Sequence, residues 1–219
     1  MLRAAVFDLD HTLFDPVTLP RALFTDLEAR VRNVAAGLLS AAALDAALAD
    51  AWRLPFDRVV AQHRLPDAVS TAWHQAASAL EVTTPLLPYA DVVAGLERLP
   101  LRRFLLTTGF RRLQMSKVRQ LGLIPLFVAV YVDALEPPGP LGKRALLKRL
   151  MLEHDLSASE VVVIGDRADD ELTAAQSLGM VAVQVLRPGI VPSRDVFWRI
   201  PDVGALPALL TRITGAGAA

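Results

Sequence analysis

The chain has 219 residues, 53% of them hydrophobic, with 23 basic and 23 acidic side chains. That length suits one α/β domain with a modest insertion, and a net charge of zero without a basic stripe argues against a nucleic-acid backbone as partner. The absence of cysteine excludes disulfides, a thiolate metal site and a cysteine nucleophile. A strand begins almost at once and leaves no room for a charged n-region and cleavage site, so no signal peptide is expected. The most apolar stretch, Val34 to Leu48, is interrupted by Ser40 and Asp45 and is too short to span a bilayer. The expectation is a cytoplasmic protein, monomer or homodimer, that works on neither nucleic acid nor membrane.

The first element is an apolar run of strand character, Leu2 to Phe7, which ends in Asp8-Leu9-Asp10-His11-Thr12. Strands put residues i and i+2 on one face, so Asp8 and Asp10 point the same way if the strand geometry persists. Two like charges that close are costly unless a cation or a shared proton compensates, and Mg²⁺ prefers hard carboxylate oxygens. Carboxylates at a strand's C-terminal end are also where open α/β sheets place their sites. The plainer alternative is a polar loop after a buried strand.

From Pro16 to about Leu87 there is no β alternation. Leu19, Leu23, Leu27, Val31 and Ala35 recur every four residues, which predicts an amphipathic helix. Ser40 is placed to cap a helix from Ala41 to Arg53, with Leu44, Leu48 and Trp52 on one stripe. A third helix is expected around Phe56 to Gln62, and a fourth capped by Asp67, with Val69, Trp73, Ala76 and Leu80 inward. Thr83-Thr84-Pro85 breaks the pattern. Residues 16–87 thus read as an all-helical insertion.

A helix from Asp91 to Leu99 is closed by Pro100, and a strand from Arg102 to Leu106 leads into Thr107-Thr108-Gly109. A hydroxyl followed by Gly at a strand end offers Oγ and backbone N–H groups to an anion, although strand–Thr–Gly turns are common without one. Phe110 to Leu121 is a basic helix, with Leu113, Lys117, Val118 and Leu121 at helical spacing and its charges read as a solvated face. After a buried strand, Leu126 to Val132, a Pro/Gly loop opens a helix at Lys143 that runs to Glu153. A lysine there is ordinarily surface charge. Ser157 caps a turn before the strand Glu160 to Ile164, which ends in Gly165-Asp166, with Asp169, Asp170 and Glu171 just beyond. Acids at a helix start also complement its dipole, an explanation that fits Asp166 less well because it lies earlier, at the strand end. Strands Val181 to Leu186 and Val196 to Ile200, a helix Leu206 to Ile213 and a tail Thr214 to Ala219 complete the chain. No repeat or nucleotide-binding glycine fingerprint appears, and His63, His74 and His154 lack metal-ligand spacing.

Strands alternating with helices argue for a parallel sheet with helices on both faces. In such a sheet the C-terminal strand ends share one edge, so Asp8, Asp10, Thr107, Lys143 and Asp166 can converge despite their separation in sequence.

Phe7-Asp8-Leu9-Asp10-His11-Thr12-Leu13 resembles the first motif, Asp-x-Asp-x-Thr, of the haloacid dehalogenase superfamily. Thr107 stands where the second motif has its phosphate-binding hydroxyl, Lys143 where the third has its lysine, and Gly165-Asp166 followed by Glu171 looks like the fourth. The resemblance covers essentially the whole chain. It implies an α/β class with a Rossmann-like parallel sheet, helices on both faces and an inserted all-helical cap, the core being residues 1–15 and 88–219 and the cap 16–87. It further implies Mg²⁺-dependent hydrolysis of a small phosphate ester. Asp8 is then the nucleophile and Asp10 the general acid/base. Thr107, with Thr108 and Gly109, holds the phosphate, and Lys143 neutralises nucleophile and phosphate. Asp8, Asp166 and the Asp10 carbonyl hold the metal. A supporting acid follows at one of two spacings, Glu171 at the longer and Asp170 at the shorter. His11 stands where many relatives have Gly, Thr108 where relatives often have Asn, and Lys148 is the runner-up to Lys143. Relatives read the leaving group with the cap, where Arg53, Arg58, His63, Arg64 and His74 are the polar candidates and Trp52, Phe56 and Trp73 the large side chains. A phosphomutase or a dehalogenase of the same fold, or an inactive binding module, are the alternatives; Asp10 counts against a dehalogenase, since the family's dehalogenases lack the second Asp.

Overall fold

A computed structural model describes residues 1–52, 54 and 56–216. Six strands, β1 (Ala4–Phe7), β2 (Arg102–Gly109), β3 (Ala129–Ala134), β4 (Val161–Gly165), β5 (Val181–Val185) and β6 (Trp198–Ile200), form one sheet. Its order is β3-β2-β1-β4-β5-β6, and every pair is parallel. This is the Rossmann-like α/β arrangement that the alternation of strands and helices implies.

The two central strands, β1 and β4, are apolar throughout because both their faces are covered. Ala5, Phe7, Leu105, Val162 and Ile164 point to one hydrophobic cluster, while Ala4, Val6, Phe104, Val161 and Val163 point to another. The first cluster takes in α5 (Val92–Glu97), α6 (Arg111–Gln120) and α9 (Leu206–Ala216); the second takes in α7 (Lys143–His154) and α8 (Thr173–Gln176). Period-two alternation within each strand thus assigns helices to both faces.

Between β1 and α5 run four helices, α1 (Thr25–Ala35), α2 (Ala41–Asp50), α3 (Phe56–His63) and α4 (Asp67–Ser78). Leu27, Val31, Leu44, Val59, Val69 and Trp73 build a third cluster, joined by Phe110 from the loop after β2. Ser40 does cap α2, its Oγ accepting from the Ala43 N–H at 3.2 Å. Two expectations shift. The four-residue repeat begins with Leu19, but α1 starts only at Thr25, after short 3₁₀ turns at Pro16–Thr18 and Arg21–Phe24. Pro20 is the reason: the residue before a proline is pushed out of the α region, and Leu19 is extended, at ψ 137°, and buried against the sheet instead. Asp67 is the first residue of α4 rather than its cap, which is Pro66. The helix expected through Arg53 ends at Asp50, and Arg53 itself lies outside the described residues. The tail expected from Thr214 is helical to Ala216, and residues 217–219 lie outside the described set. Among the described residues, no helix is long and apolar enough to cross a membrane.

One buried ion pair ties the sheet to the loop after β1. Arg187, just past β5, donates to both Asp91 carboxylate oxygens at 2.7 and 2.9 Å and to the Thr12 carbonyl at 2.8 and 3.1 Å, with its guanidinium 4.0 Å from the Tyr89 ring centroid. Burial alone would raise the Asp91 carboxyl, but Arg187 holds it below the usual range. The folded value therefore lies under the unfolded one of about 3.9, so this stabilisation is complete above that pH and fades as pH falls through the folded value. Arg187→Met leaves Asp91 unpaired and should cost about 3 kcal/mol in urea unfolding at pH 7. The cost should shrink as pH falls below the unfolded carboxyl value of about 3.9 and be partly recovered by adding Asp91→Asn.

Candidate active site

The sheet brings the C-terminal ends of β1, β2 and β4 and the start of α7 to one edge. Asp8 follows β1 directly, its N–H still paired to the Ile164 carbonyl at 2.9 Å. Asp10 lies past the strand in a single bridge with Phe14, and His11 adopts φ 58°, the left-handed region that glycine occupies without steric cost. Thr107, Thr108 and Gly109 are the last residues of β2, and Asp166 follows β4. Lys143 opens α7, and Glu171 lies in a π-helical turn, Ala168–Leu172.

Lys143 is the hub. Its Nζ donates to Asp8 Oδ1 and Glu171 Oε2, both at 2.7 Å, and lies 3.3 Å from Asp170 Oδ2. The Lys143 side chain is 4% exposed and that of Glu171 1%, whereas that of Asp170 is 30% exposed. Glu171 is therefore the closer and drier partner. Its second oxygen accepts from the Arg167 N–H at 2.8 Å, and a Cβ on Gly165 would overlap its carboxylate; the Gly of Gly165-Asp166 makes the space Glu171 occupies. Lys148, the alternative lysine, is exposed on α7.

The surroundings are short of positive charge. Asp8, Asp166 and Glu171 bring carboxylate oxygens within 4.8 Å of one another. Burial raises the Asp8 carboxyl well above its ordinary value against the pull of Lys143, and burial with the Glu171 charge pushes Asp166 to about 7. Burial also disfavours charge on Lys143, but the carboxylates outweigh it and raise the ammonium's pKa. Both Glu171 oxygens are committed, while among the described residues Asp166 and the second Asp8 oxygen have no side-chain partner. These hard oxygens suit a divalent cation. The Asp10 carboxylate is not part of this cluster.

Asp10 has its own lysine. Lys117 Nζ, on α6, donates to both Asp10 oxygens at 3.0 Å, and Gln114 Nε2 donates to Asp10 Oδ2 and Thr107 Oγ1 at 3.1 Å and to the Thr108 carbonyl at 2.8 Å. Burial opposes the charge on Asp10, but Lys117 and Gln114 prevail and hold its carboxyl below the usual range. This corrects the expectation of a wholly solvated basic face on α6: Gln114 and Lys117 are buried. The signal was in the stripe Leu113-Lys117-Val118-Leu121, where a lysine takes an inward position. Gln114, at i−3 from Lys117 and thus its neighbour on the helix surface, had no such mark. Gln114 Oε1 is buried without a partner.

A cavity of about 250 Å³ opens from these residues. Asp8, Asp10, Thr107, Thr108, Gly109, Lys117, Lys143, Asp166 and Asp170 line one end; Glu171 sits behind Lys143 and does not. The other end is walled by the helical segment. The polar candidates there face elsewhere: Arg58 pairs with Asp169 at 2.9 Å, His63 with Asp50 at 2.8 Å, and His74 meets the Leu135 carbonyl at 2.9 Å, while Arg64 is exposed. None of these four lines the cavity.

A family model described as haloacid dehalogenase-like hydrolase matches residues 2–179. No curated protein matches the chain. Among solved structures, the chain is similar to the HAD-hydrolase YfnB from Bacillus subtilis bound to magnesium, at 18% identity over 95% of this chain and 98% of that one, with TM-score 0.63. It is similar to a HAD phosphatase from Thermococcus onnurineus, at 20% identity, the same coverages and TM-score 0.63. It also resembles the L-2-haloacid dehalogenase from Xanthobacter autotrophicus, at 18% identity over 96% and 99% of the two chains, with TM-score 0.59. At these identities the likeness shows the fold.

The Asp10–Lys117 pair is testable by stability alone. Lys117→Met leaves a mostly buried carboxylate facing an apolar side chain and should cost about 2 kcal/mol, the Asp10 side chain being 26% exposed. Asp10→Asn with Lys117→Met should cost less than the sum of the single changes by about 1 kcal/mol or more in a denaturant double-mutant cycle.

Proposed function

The chain belongs to the haloacid dehalogenase-like hydrolases, and on that premise we propose that it is a Mg²⁺-dependent phosphatase. It cleaves a small phosphomonoester through an aspartyl-phosphate on Asp8. The observation that carries this reading is the second aspartate: Asp10 lines the same cavity as Asp8 and is held by Lys117 and Gln114. A substitution at carbon that releases halide has no alkoxide to protonate, whereas ester cleavage needs an acid and then a base.

Asp8 attacks phosphorus, the bond to the ester oxygen breaks, and the alkoxide takes a proton from Asp10. Water then opens the aspartyl-phosphate, giving its proton to Asp10 and freeing Asp8. The ionised Asp10 set by Lys117 is the form this second step uses; a substrate arriving as its monoanion passes its proton to Asp10, which delivers it to the leaving oxygen in the first step. Thr107 Oγ and the backbone of Thr108 and Gly109 receive phosphoryl oxygens, with Lys143 opposite. Glu171 fixes Lys143 in place, with Asp170 as its weaker companion. Asp8, Asp166 and the Asp10 carbonyl would hold Mg²⁺, which when bound neutralises phosphoryl charge. We read residues 16–87 as a cap over a core of residues 1–15 and 88–219, closing the cavity on the leaving-group side.

Hydrolysis of p-nitrophenyl phosphate should require Mg²⁺ and vanish after exhaustive EDTA treatment; full metal-free activity would refute the reading. With acetyl phosphate, Asp8→Asn should give no phosphoenzyme by mass spectrometry. Asp10→Asn should slow turnover about 10²- to 10⁴-fold, with the adduct persisting on Asp8. An adduct on His11 instead would overturn the mechanism. Glu171→Gln should reduce kcat more than Asp170→Asn, and the reverse ranking would make Asp170 the supporting acid.

A further inference from the structure

We propose that the ester cleaved here carries an apolar, uncharged alcohol, an aryl or alkyl group, rather than a sugar, a nucleoside or an alcohol with a second anion; this rests on the phosphatase reading above. The catalytic acids occupy only one end of the cavity. Beyond them, the lining contributed by described residues of the helical segment is apolar with one exception, Glu28, and includes Leu19, Phe24, Leu27, Leu48 and Trp52. Glu28 is an anion and repels a carboxylate or a second phosphate. Arg167, a cation at the rim near Asp166, is already paired with Asp169 at 3.3 Å.

Apart from the Glu28 carboxylate and the tryptophan indole N–H groups, the described side chains of the helical segment at this end offer a sugar hydroxyl no partner, and a buried hydroxyl without a hydrogen bond is disfavoured. Gln114 Oε1, without a partner among the described residues, belongs to the core side, on α6, and not to the helical segment. An apolar group gains instead, about fourfold in binding for each methylene buried. Size agrees. An apolar cavity of roughly 150 Å³ is enough for benzene, so about 250 Å³ takes a phosphoryl group beside one ring or a chain of similar bulk. Of the four described polar side chains expected to read the substrate, Arg58, His63 and His74 are turned to other partners and Arg64 is exposed, and none lines the cavity, which favours shape and hydrophobicity as the means of selection.

The test is a series of esters of similar leaving group, ethyl, propyl and hexyl phosphate against glycerol 3-phosphate and glucose 6-phosphate, with acetyl phosphate as the minimal donor. The kcat/KM should rise along the alkyl series, and propyl phosphate should exceed glycerol 3-phosphate at least about tenfold. Phe24→Ser should flatten the alkyl series. Ala51→Phe, at an exposed lining position that tolerates bulk, should penalise hexyl phosphate more than ethyl phosphate and reports on the same wall should Phe24→Ser misfold. Acetyl phosphate turnover with a flat alkyl series, or with the polar esters equal or better, overturns the apolar assignment and leaves the phosphatase reading standing. Absence of any phosphoenzyme on Asp8, acetyl phosphate included, overturns both.

Discussion

The buried ammonium of Lys143 faces more carboxylates than it can neutralise, and much of the molecule is arranged to make that tolerable. Taking charges out of water is expensive, and a buried ion pair survives only when its remaining hydrogen-bonding groups are also satisfied. Here that satisfaction is divided. Glu171 takes one bond from Lys143 and one from the Arg167 N–H, so it is fully spent in holding the lysine. Asp8 takes one bond and keeps one oxygen free. Among the described residues, Asp166 has no lysine hydrogen-bonded to it, and burial with the Glu171 charge pushes it up to about 7. The same shortage of positive charge makes the cluster receptive to a hard cation. Structural support and reactivity are thus assigned to different carboxylates by their hydrogen bonds, although all are acids within a few ångströms.

This concentration of charge at residues 8, 143, 166 and 171 is a product of topology. β1 lies between β2 and β4, in register Phe7 to Leu105 and Phe7 to Ile164. The residues after these three strands therefore emerge side by side. Four buried residues suffice for β1 because both neighbours satisfy its backbone and both faces bury its side chains. Arg187 secures the loop that follows, gripping the Thr12 carbonyl from the far side of β4. Strained His11 is held within that loop by an N–H bond to the Phe14 carbonyl at 2.7 Å.

The sheet and the residues gathered at its edge were legible because each is marked by a local change: an apolar run stops and a polar residue with a defined neighbour begins. Asp8, Thr107 and Asp166 carry that mark, and Lys143 is marked by the Pro/Gly loop that opens its helix. Gln114 and Arg187 carry none, and Lys117 is marked only by its place in an otherwise apolar stripe. They lie inside or after elements where lysine, glutamine and arginine are ordinarily surface residues, and only the packing of α6 and of the segment after β5 against the loop after β1 shows that they point inward. The start of α1 was misplaced for a similar reason, since the four-residue repeat runs smoothly across Pro20 although the backbone cannot. The polar side chains of the helical segment were misleading as well, because a charged residue near a site is as readily consumed by a neighbouring helix or loop as by a ligand.

The two ends of the cavity follow from how each is built. Strand ends present backbone groups and short polar side chains, so the sheet edge is polar by construction. A helical segment of this length has little apolar surface to spare for its own core, and Leu27, Leu48 and Trp73 belong both to the third hydrophobic cluster and to the cavity wall. The wall is therefore the exposed side of a core rather than a separate recognition surface. Making it polar would remove apolar contacts from that core, which would couple the proposed choice of leaving group to the stability of the helices. Selection by hydrophobicity costs such a segment nothing beyond what folding already requires, whereas a hydrogen-bonding wall would need residues that contribute little to holding the four helices together.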